Sequence, residues 1–154
     1  MTTLKIDQFD RRILNEMQKD ASLSQRDLAE KVGLSQNACW RRLRALEEQG
    51  IIRGRTLRLD HEKLGLGLVV FVMIKTRHHS AEWLQNFRRH ILAIPEVIDF
   101  FRIAGDYDYM LRIVTSDMTN YDSVYQRIIE KVELEAVTSY FAMESIDERR
   151  PLPL

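Results

Sequence analysis

The segment SQRDLAEKVGLSQNACWRRLRALEEQG, residues 24–50, predicts two short helices joined at one glycine. Ser24 can cap the first helix, and Asp27 follows it at the spacing of a capping box. Gly33 stands where the first helix would end in a left-handed residue, a conformation that glycine adopts without steric cost. Ser35 can then cap the second helix. Two capped helices with so short a turn between them are typical of a helix-turn-helix.

The second of these helices has two chemically different sides. At about 100° per residue, Cys39, Leu43 and Leu46 share one side, which suits a hydrophobic core. The opposite side carries Asn37, Arg41, Arg44 and Glu48. Amide and guanidinium groups can hydrogen-bond base edges and phosphates, so this side predicts a helix that recognises double-stranded DNA. The alternative is an amphipathic surface helix whose charged side is only solvated.

The distribution of charge favours DNA binding, although the net charge of the whole chain is zero. Residues 1–60 hold 12 Lys and Arg against 9 Asp and Glu, or +3, and residues 61–154 hold 11 against 14, or −3. Between residues 36 and 59 there are six arginines and two glutamates. A local basic patch, rather than the charge of the whole chain, is what binds phosphates.

The segment after the second helix, IIRGRTLRLD at residues 51–60, alternates apolar and charged side chains near its end. This pattern predicts a short two-stranded wing or an extended exit strand. Arg53, Arg55 and Arg58 would then follow the DNA backbone. The alternative is a solvated strand that leads to a linker. Residues 61–67, HEKLGLG, contain two glycines and predict a hinge between domains.

Another helix is predicted in front of the helix-turn-helix. Asp7 can cap it, and an apolar side continues to about Lys19. This helix would complete a three-helix core. Residues 1–5 are predicted to be a loose end. Together these elements make residues 1–60 a winged helix-turn-helix domain with an exit strand.

Residues 68–154 predict a second domain built in the order βαββαβ, the ferredoxin-like split βαβ arrangement, so the chain is of the α+β class. Apolar runs predict the four strands at 68–74, 97–103, 109–114 and 137–146. Polar residues predict the starts of the two helices, one at Ser80 and the other at Thr119 or Asn120. The first strand, LVVFVMI, is apolar throughout, which is typical of a strand buried on both faces. Because both sheet faces are apolar and the helices cover only one, a second copy of the chain is the simplest cover for the other.

The single cysteine, Cys39, excludes a disulfide within the chain, which fits a reducing cytoplasm. Its place on an apolar helix side predicts a small buried side chain rather than a nucleophile or a metal ligand. No apolar run reaches the length that spans a membrane, and the N-terminus has no signal-peptide pattern. The sequence therefore predicts a cytoplasmic protein without a membrane partner.

The residues that an enzyme would need are missing from the sequence. His78 and His79 are adjacent, so on a strand their rings would point in opposite directions, and His90 has no Cys or His at ligand spacing. There is no GxSxG and no glycine loop that would hold a phosphate. Asp106 and Asp108 form an unspecific DxD pair. We therefore predict no catalytic residue, no metal ion and no cofactor.

The order of these segments resembles the Lrp/AsnC family, the leucine-responsive and feast/famine transcription regulators of bacteria and archaea. The resemblance covers the chain from about Asp7 to Ile146. The matching segments are DRRIL at 10–14, LAEKVGLS at 28–35, residues 39–50, LDHEKLG at 59–65, residues 70–74, and GDYDYML at 105–111. Within the family, IKTRHHSAEW and the ending SYFAMESI look like a branch that includes cysteine-responsive regulators.

What the resemblance implies for DNA is that the helix capped by Ser35 enters the major groove. The contact positions that it implies are Gln36, Asn37, Arg41, Arg42 and Arg44. Many members carry Pro-Thr or Pro-Ser where this chain has Gln36 and Asn37. That difference bears on the operator sequence rather than on the mode of binding.

The resemblance also implies that the GDYDY turn belongs to an effector site for an amino acid. The residues are Gly105, Asp106, Tyr107 and Asp108. A glycine turn can present backbone N–H groups to a carboxylate, and either aspartate can face an ammonium group. Thr138 and Ser139 are further candidates for lining the same pocket. The alternative is a hairpin whose aspartates only satisfy the turn's own backbone.

The family implies homodimers that join into tetramers or octamers, with amino acids bound between dimers. The predicted function is a sequence-specific DNA-binding transcription regulator whose assembly or operator affinity is changed by a small molecule, an amino acid. The competing hypothesis is an amino-acid-binding allosteric or scaffold protein that does not bind DNA. That hypothesis leaves the arginines of the second helix unexplained.

Overall fold

The computed structural model describes residues 6–154, which form two compact units. The helical unit takes the chain up to Arg58 together with Asp147–Leu154, and the sheet unit takes Leu59–Ile146. The prediction for residues 1–5 lies outside the described residues. No helix formed by residues 6–154 has the length and apolar character needed to cross a membrane.

The helical unit contains three helices, α1 (Gln8–Lys19), α2 (Gln25–Val32) and α3 (Gln36–Glu48). Each helix turns one apolar side inward, as the spacing of the apolar residues predicted. Their common core consists of Ile13, Leu14, Met17, Leu28, Ala29, Val32, Cys39, Leu43 and Leu46. Ala29 is 2% exposed, and a side chain this small lets neighbouring helices approach closely. Burial raises the pKa of the Cys39 thiol, which agrees with a packing role for that side chain.

Side-chain caps fix where the three helices begin. Asp7 accepts the N–H groups of Phe9 and Asp10 at 2.8 and 3.0 Å, and Asp10 accepts the Asp7 N–H at 3.1 Å. Ser24 Oγ accepts the Asp27 N–H at 3.1 Å and donates its own proton to the Asp27 carboxylate. Gly33 ends α2 at φ 72°, in the left-handed conformation that the sequence predicted.

The segment from residue 51 to residue 60 forms no hydrogen-bonded strand with any described residue, so the paired wing does not appear in the single chain and the predicted exit strand is an unpaired segment. A strand needs the N–H and C=O groups of a neighbouring edge, and this segment has no such edge beside it. Instead, Arg58 Nη2 donates to the Glu148 carbonyl at 2.9 Å. Leu57 and Leu59 are left 82% and 65% exposed.

The last residues of the chain pack on the helical unit rather than on the sheet unit. Gln18 makes two hydrogen bonds with Leu152, donating Nε2–H to its carbonyl at 3.2 Å and accepting its N–H at 2.7 Å. Asn15 donates to the Leu154 carbonyl at 3.4 Å. The predicted second domain, residues 68–154, therefore includes eight residues that the structure groups with the helices.

The sheet unit has the predicted order βαββαβ. Its elements are β1 (Leu68–Lys75), α4 (Ala81–Leu92), β2 (Val97–Arg102), β3 (Tyr109–Thr115), α5 (Met118–Ile129) and β4 (Ala136–Phe141). The strands lie antiparallel in the order β2-β3-β1-β4. The last strand is shorter than the predicted 137–146, because its partner β1 begins at Leu68 and offers no edge to residues beyond Ala142.

The two faces of this sheet differ in what covers them. Val70, Val72 and Ile74 point toward the helices and are 0% exposed, within a core that includes Phe87 and Ile128. The residues between them on β1 are only half-buried, so in the single chain β1 is buried on one face rather than on both. On the other side, strand register brings together a group of half-buried or exposed residues that we call the open sheet face: Phe71, Met73, Asp99, Phe101, Met110, Arg112, Thr138 and Tyr140.

Candidate functional site

The outward side of α3 carries polar side chains that the protein does not use for its own packing. Ser35 accepts the Ala38 N–H at 3.3 Å and so fixes the start of the helix, with Gln36 and Asn37 exposed on its first turn. Arg41 is exposed one turn further on and makes no ion pair with any of residues 6–154. Its guanidinium is available to a partner outside the chain.

Arg44 lies on the same side of α3, held loosely along the helix. Its guanidinium lies 3.8 Å from the Glu47 carboxylate and 5.7 Å from the centre of the Trp40 ring. Trp40 is 46% exposed, so it supports Arg44 from the helix surface rather than filling the core. A cation on an indole face is stabilised by about 0.5–1 kcal/mol at exposed sites, which favours one direction for the arginine.

Arg42 departs from the sequence prediction, because its guanidinium is turned into the protein. Its Nη1 lies 2.7 Å from an Asp7 carboxylate oxygen and 2.9 Å from one of Asp10, and the group sits 5.5 Å from the Phe9 ring centre. The hydrogen bond to Asp10 and then that to Asp7 raise the pKa of Arg42. The sequence contained the signal, since position 42 lies three residues after Cys39 and four before Leu46, on the core side of α3.

This ion pair makes the stability of the helical unit depend on pH. The Asp10 N–H, and after it Arg42, lower the pKa of Asp7, so its contribution is present above the unfolded pKa of about 3.9 and is lost as pH falls through the lower folded value. We expect the thermal stability of the helical unit, measured as its melting temperature, to decrease as pH falls below about 4. Asp7→Asn should reduce that dependence, since asparagine still caps the helix but carries no charge.

Melting curves followed by circular dichroism between pH 5 and pH 2 measure this effect. Asp122→Asn, an exposed change on α5, is the control and should leave the acid dependence as in the parent protein. Identical curves for Asp7→Asn and the parent at every pH would contradict the assignment.

Arg53 and Arg55 follow α3 on the irregular segment after the helix. Arg53 is exposed and has no ion pair among the described residues, whereas Arg55 Nη2 lies 3.5 Å from a Glu47 oxygen. A pair this long and this exposed contributes little stability and exchanges readily for a phosphate. Both guanidiniums remain able to contact a nucleic-acid backbone.

The GDYDY turn joins β2 to β3, and its two aspartates differ in their partners. Gly105 has φ 130°, a conformation that side chains rarely permit. Asp108 accepts the Thr76 N–H at 2.8 Å through Oδ2, so one of its oxygens holds the end of β1. Asp106 is exposed and its carboxylate makes no hydrogen bond with residues 6–154. Of the two, Asp106 is the one free to face a ligand ammonium group.

Thr138 and Ser139 point to opposite faces of the sheet, which corrects the prediction that they line one pocket. Thr138 Oγ1 lies 3.0 Å from the Tyr107 hydroxyl, on the open sheet face, so the structure brings this residue to the GDYDY turn. Ser139 faces the helices and hydrogen-bonds the Tyr121 hydroxyl of α5. Successive strand residues alternate between faces, and this rule separates the two from sequence alone.

Comparison with known proteins agrees with both units. Residues 69–152 match the Lrp/AsnC ligand binding domain, and residues 6–53 match a winged helix-turn-helix DNA-binding domain. The first match alone takes more than half of the chain. The chain belongs to the Lrp/AsnC family.

Individual Lrp/AsnC relatives match almost from end to end. The chain is 47% identical over 150 residues to the DNA-binding transcriptional activator DecR of Escherichia coli (strain K12), covering 97% of this chain and 99% of that protein. It is 45% identical over 150 residues to the glutamate uptake regulatory protein of Zymomonas mobilis, covering 97% and 92%. The first of these relatives is a transcriptional activator and the second a regulatory protein, which agrees with the prediction that this chain is not an enzyme.

Solved Lrp/AsnC structures share the fold. An AsnC family transcriptional regulator from Agrobacterium tumefaciens has a TM-score of 0.92 at 47% identity, covering 96% of this chain and 97% of that one. A transcriptional regulator from Neisseria meningitidis, solved as a complex with L-Met, has a TM-score of 0.90 at 29% identity and covers 97% of each chain. The predicted combination of a helix-turn-helix with a βαββαβ domain is confirmed.

Proposed function

We propose that this protein is a sequence-specific DNA-binding transcription regulator whose assembly or operator affinity is changed by an amino acid. The observation that carries the proposal is Arg41, exposed and without an ion pair on the outward side of a capped second helix. The side chain makes no contact that holds the fold together, and on a recognition helix DNA offers it a base edge or a phosphate. We place the protein in the cytoplasm, because that compartment holds the chromosomal DNA of bacteria and archaea.

The DNA contacts that we propose differ from the predicted set in the role of Arg42. Base edges would be reached by Gln36, Asn37, Arg41 and Arg44. Ser35 fixes the helix start beside the phosphates, and Arg53 and Arg55 would follow the backbone. Arg42 instead acts through the protein, since its pair with Asp7 and Asp10 holds α1 against α3.

The effector site that we propose lies at the turn between β2 and β3. Backbone N–H groups around Gly105 would bind the carboxylate of an amino acid, and Asp106 would bind its ammonium group. Tyr107 and Thr138 would line the pocket from the open sheet face, while Asp108 keeps the turn in place through Thr76. The Neisseria meningitidis structure with L-Met supports an amino acid as the ligand class.

The open sheet face is the surface through which we propose that two copies of the chain associate. Phe101 and Tyr140 on this face are 51% and 54% exposed. A sheet face with such side chains is stabilised when another apolar face covers it, and a two-fold axis brings the same patch of both copies together. Dimers formed in this way would present two α3 helices to two half-sites, and further association into tetramers or octamers would place effectors between dimers.

An effector screen tests the ligand half of this proposal. We expect one or a few of the twenty amino acids to raise the melting temperature of the protein, and the sequence resemblance makes cysteine one candidate. A ligand present at 100 times its Kd stabilises the folded protein by about 2.7 kcal/mol. Asp106→Asn should reduce the shift, and Asp122→Asn should not. No shift with any amino acid would contradict the effector site.

The competing hypothesis is a protein that binds amino acids but not DNA. A mobility-shift assay with the promoter beside the protein's own gene distinguishes it from the regulator. A specific complex that disappears with rising salt supports the regulator, because bound arginines release counterions from DNA. Amino-acid binding without any DNA complex supports the alternative.

A further inference from the structure

A cavity of about 380 Å³ opens on the helix side of the sheet unit, between α4 and the edge made by β2 and β3. Its lining consists of Arg88, Leu92, Phe100, Arg102 and Tyr109. Small-molecule sites commonly have volumes of about 300–1,000 Å³. Arg102 and Tyr109 flank the Gly105–Asp108 turn but face the helices, whereas Tyr107 meets Thr138 on the open sheet face, so the cavity and the proposed effector site lie on opposite sides of the sheet.

Local geometry explains how these five side chains meet. Phe100 and Arg102 are two residues apart on β2 and therefore point to the same side of the sheet. Arg102 is paired in register with Tyr109 on β3. Arg88 and Leu92 are four residues apart on α4, which places them on one side of that helix. The cavity thus receives one arginine from a helix and one from a strand.

Tyr109 supplies a hydroxyl that reaches the cavity from a residue whose ring is buried. The residue is 1% exposed, and its ring packs against Phe87 and Phe100 with centroids 4.9 and 5.6 Å apart. Among residues 6–154 its hydroxyl has no hydrogen-bond partner. Because Tyr109 lines the cavity, its hydroxyl can donate a hydrogen bond to a ligand there. Burial raises the pKa of Tyr109, although Arg102 and Arg88 oppose the shift, so the hydroxyl keeps its proton and can donate it at neutral pH.

The charge of the lining selects the ligand. Neither Arg88 nor Arg102 forms an ion pair with residues 6–154, and the lining contains no carboxylate. Asp108 precedes Tyr109 in the chain, and one of its carboxylate oxygens already accepts the Thr76 N–H. Two guanidiniums favour an anion, whereas the ammonium group of an amino acid would find no acidic partner in the cavity.

We propose that this cavity binds a small organic carboxylate without an amino group, held between Arg88 and Arg102, with a hydrogen bond from the Tyr109 hydroxyl. The apolar body of the ligand lies against Leu92 and Phe100. An acid that is the deaminated counterpart of an amino acid has this chemistry. The protein would then bind an amino acid at the turn and an acid lacking the amino group at the cavity.

Isothermal titration calorimetry on the full chain tests the proposal with four probes: 4-methyl-2-oxopentanoate, 4-methylpentanoate, L-leucine and inorganic phosphate. We expect at least one of the two carboxylates to bind more tightly than phosphate. The double variant Arg88→Gln/Arg102→Gln should weaken that binding by about 10-fold to 100-fold, because hydrogen bonds to charged groups contribute about 1.5–3 kcal/mol. Tyr109→Phe, which removes only the hydroxyl, should weaken it by a smaller factor.

Arg89→Gln is the matched control, since Arg89 is exposed on the same turn of α4 and is absent from the lining. It should leave the affinity for the carboxylate unchanged, and so should Asp106→Asn. Circular dichroism confirms that each variant is folded before it is titrated.

Four results would overturn the proposal. They are no binding of either carboxylate at millimolar concentration, phosphate binding as tight as the carboxylates, an unchanged affinity in the folded double variant, and an equal loss of carboxylate binding in Asp106→Asn. The last result would move the ligand to the turn and leave the proposed effector site standing.

Discussion

Replacing Arg41 with alanine is expected to weaken operator binding by about 1–3 kcal/mol for each recognition helix, so a dimer on two half-sites would lose about twice that amount. The reason is that Arg41 has no partner within the described residues, and its guanidinium is exposed on the side of α3 away from the core. The change removes a contact to DNA without removing one from the fold. Mobility-shift titrations at fixed salt, with sedimentation to follow assembly, measure the two properties separately.

Arg11→Ala is the matched control for this prediction. Arg11 is exposed in the same helical unit and has no ion pair among residues 6–154, but it lies on α1 rather than α3. Repeating the titration at several salt concentrations distinguishes two roles for Arg41, since loss of a phosphate contact lowers the salt slope by about one and loss of a base contact relaxes specificity. Equal operator affinity for Arg41→Ala and the parent would show that α3 is not the recognition helix.

Local signals in the sequence predicted most of the elements because each is fixed by neighbouring residues. Asp7, Ser24 and Ser35 cap the helices at the predicted places, since a cap needs only a side chain and N–H groups two or three residues on. Gly33 ends α2 for an equally local reason. The βαββαβ order follows from apolar periodicity, which is also local.

What the sequence did not predict depends on contacts between distant residues. Arg42 reaches Asp7 and Asp10, more than thirty positions earlier in the chain, and only the packing of α1 against α3 brings them together. Gln18 meets Leu152 at a separation of 134 residues. The strand pairing predicted for residues 51–60 is absent for a different reason. An alternating sequence pattern does not show whether a neighbouring strand edge exists to pair with. The cavity lined by Arg88 and Arg102 was also missed, since no motif links a helix position to a strand end.

Placing a charge on the open sheet face is expected to weaken DNA binding without changing the recognition helix. Phe101→Glu should change little in the single chain, where Phe101 is 51% exposed and a carboxylate would remain hydrated. In the proposed dimer the same carboxylate would be buried without a partner, at a cost of several kcal/mol for each ion. We therefore expect the variant to be a folded monomer.

Loss of the dimer would lower the affinity for the operator, because the two recognition helices would no longer be linked. When one helix is bound, the dimer holds the other near its half-site, and such coupling commonly raises affinity by about 10²–10⁴-fold. Phe101→Glu should lose most of this gain in operator affinity, although it leaves every residue of α3 unchanged. Sedimentation would measure the loss of the dimer, and mobility-shift titration would measure the loss of affinity. Met118→Glu is the control, because Met118 is 56% exposed on the helix side and an acidic residue suits the first turn of α5. If Phe101→Glu were folded, dimeric and as tight on the operator as the parent, the dimer interface would lie elsewhere. Another partner would then have to cover the aromatic side chains on the open sheet face.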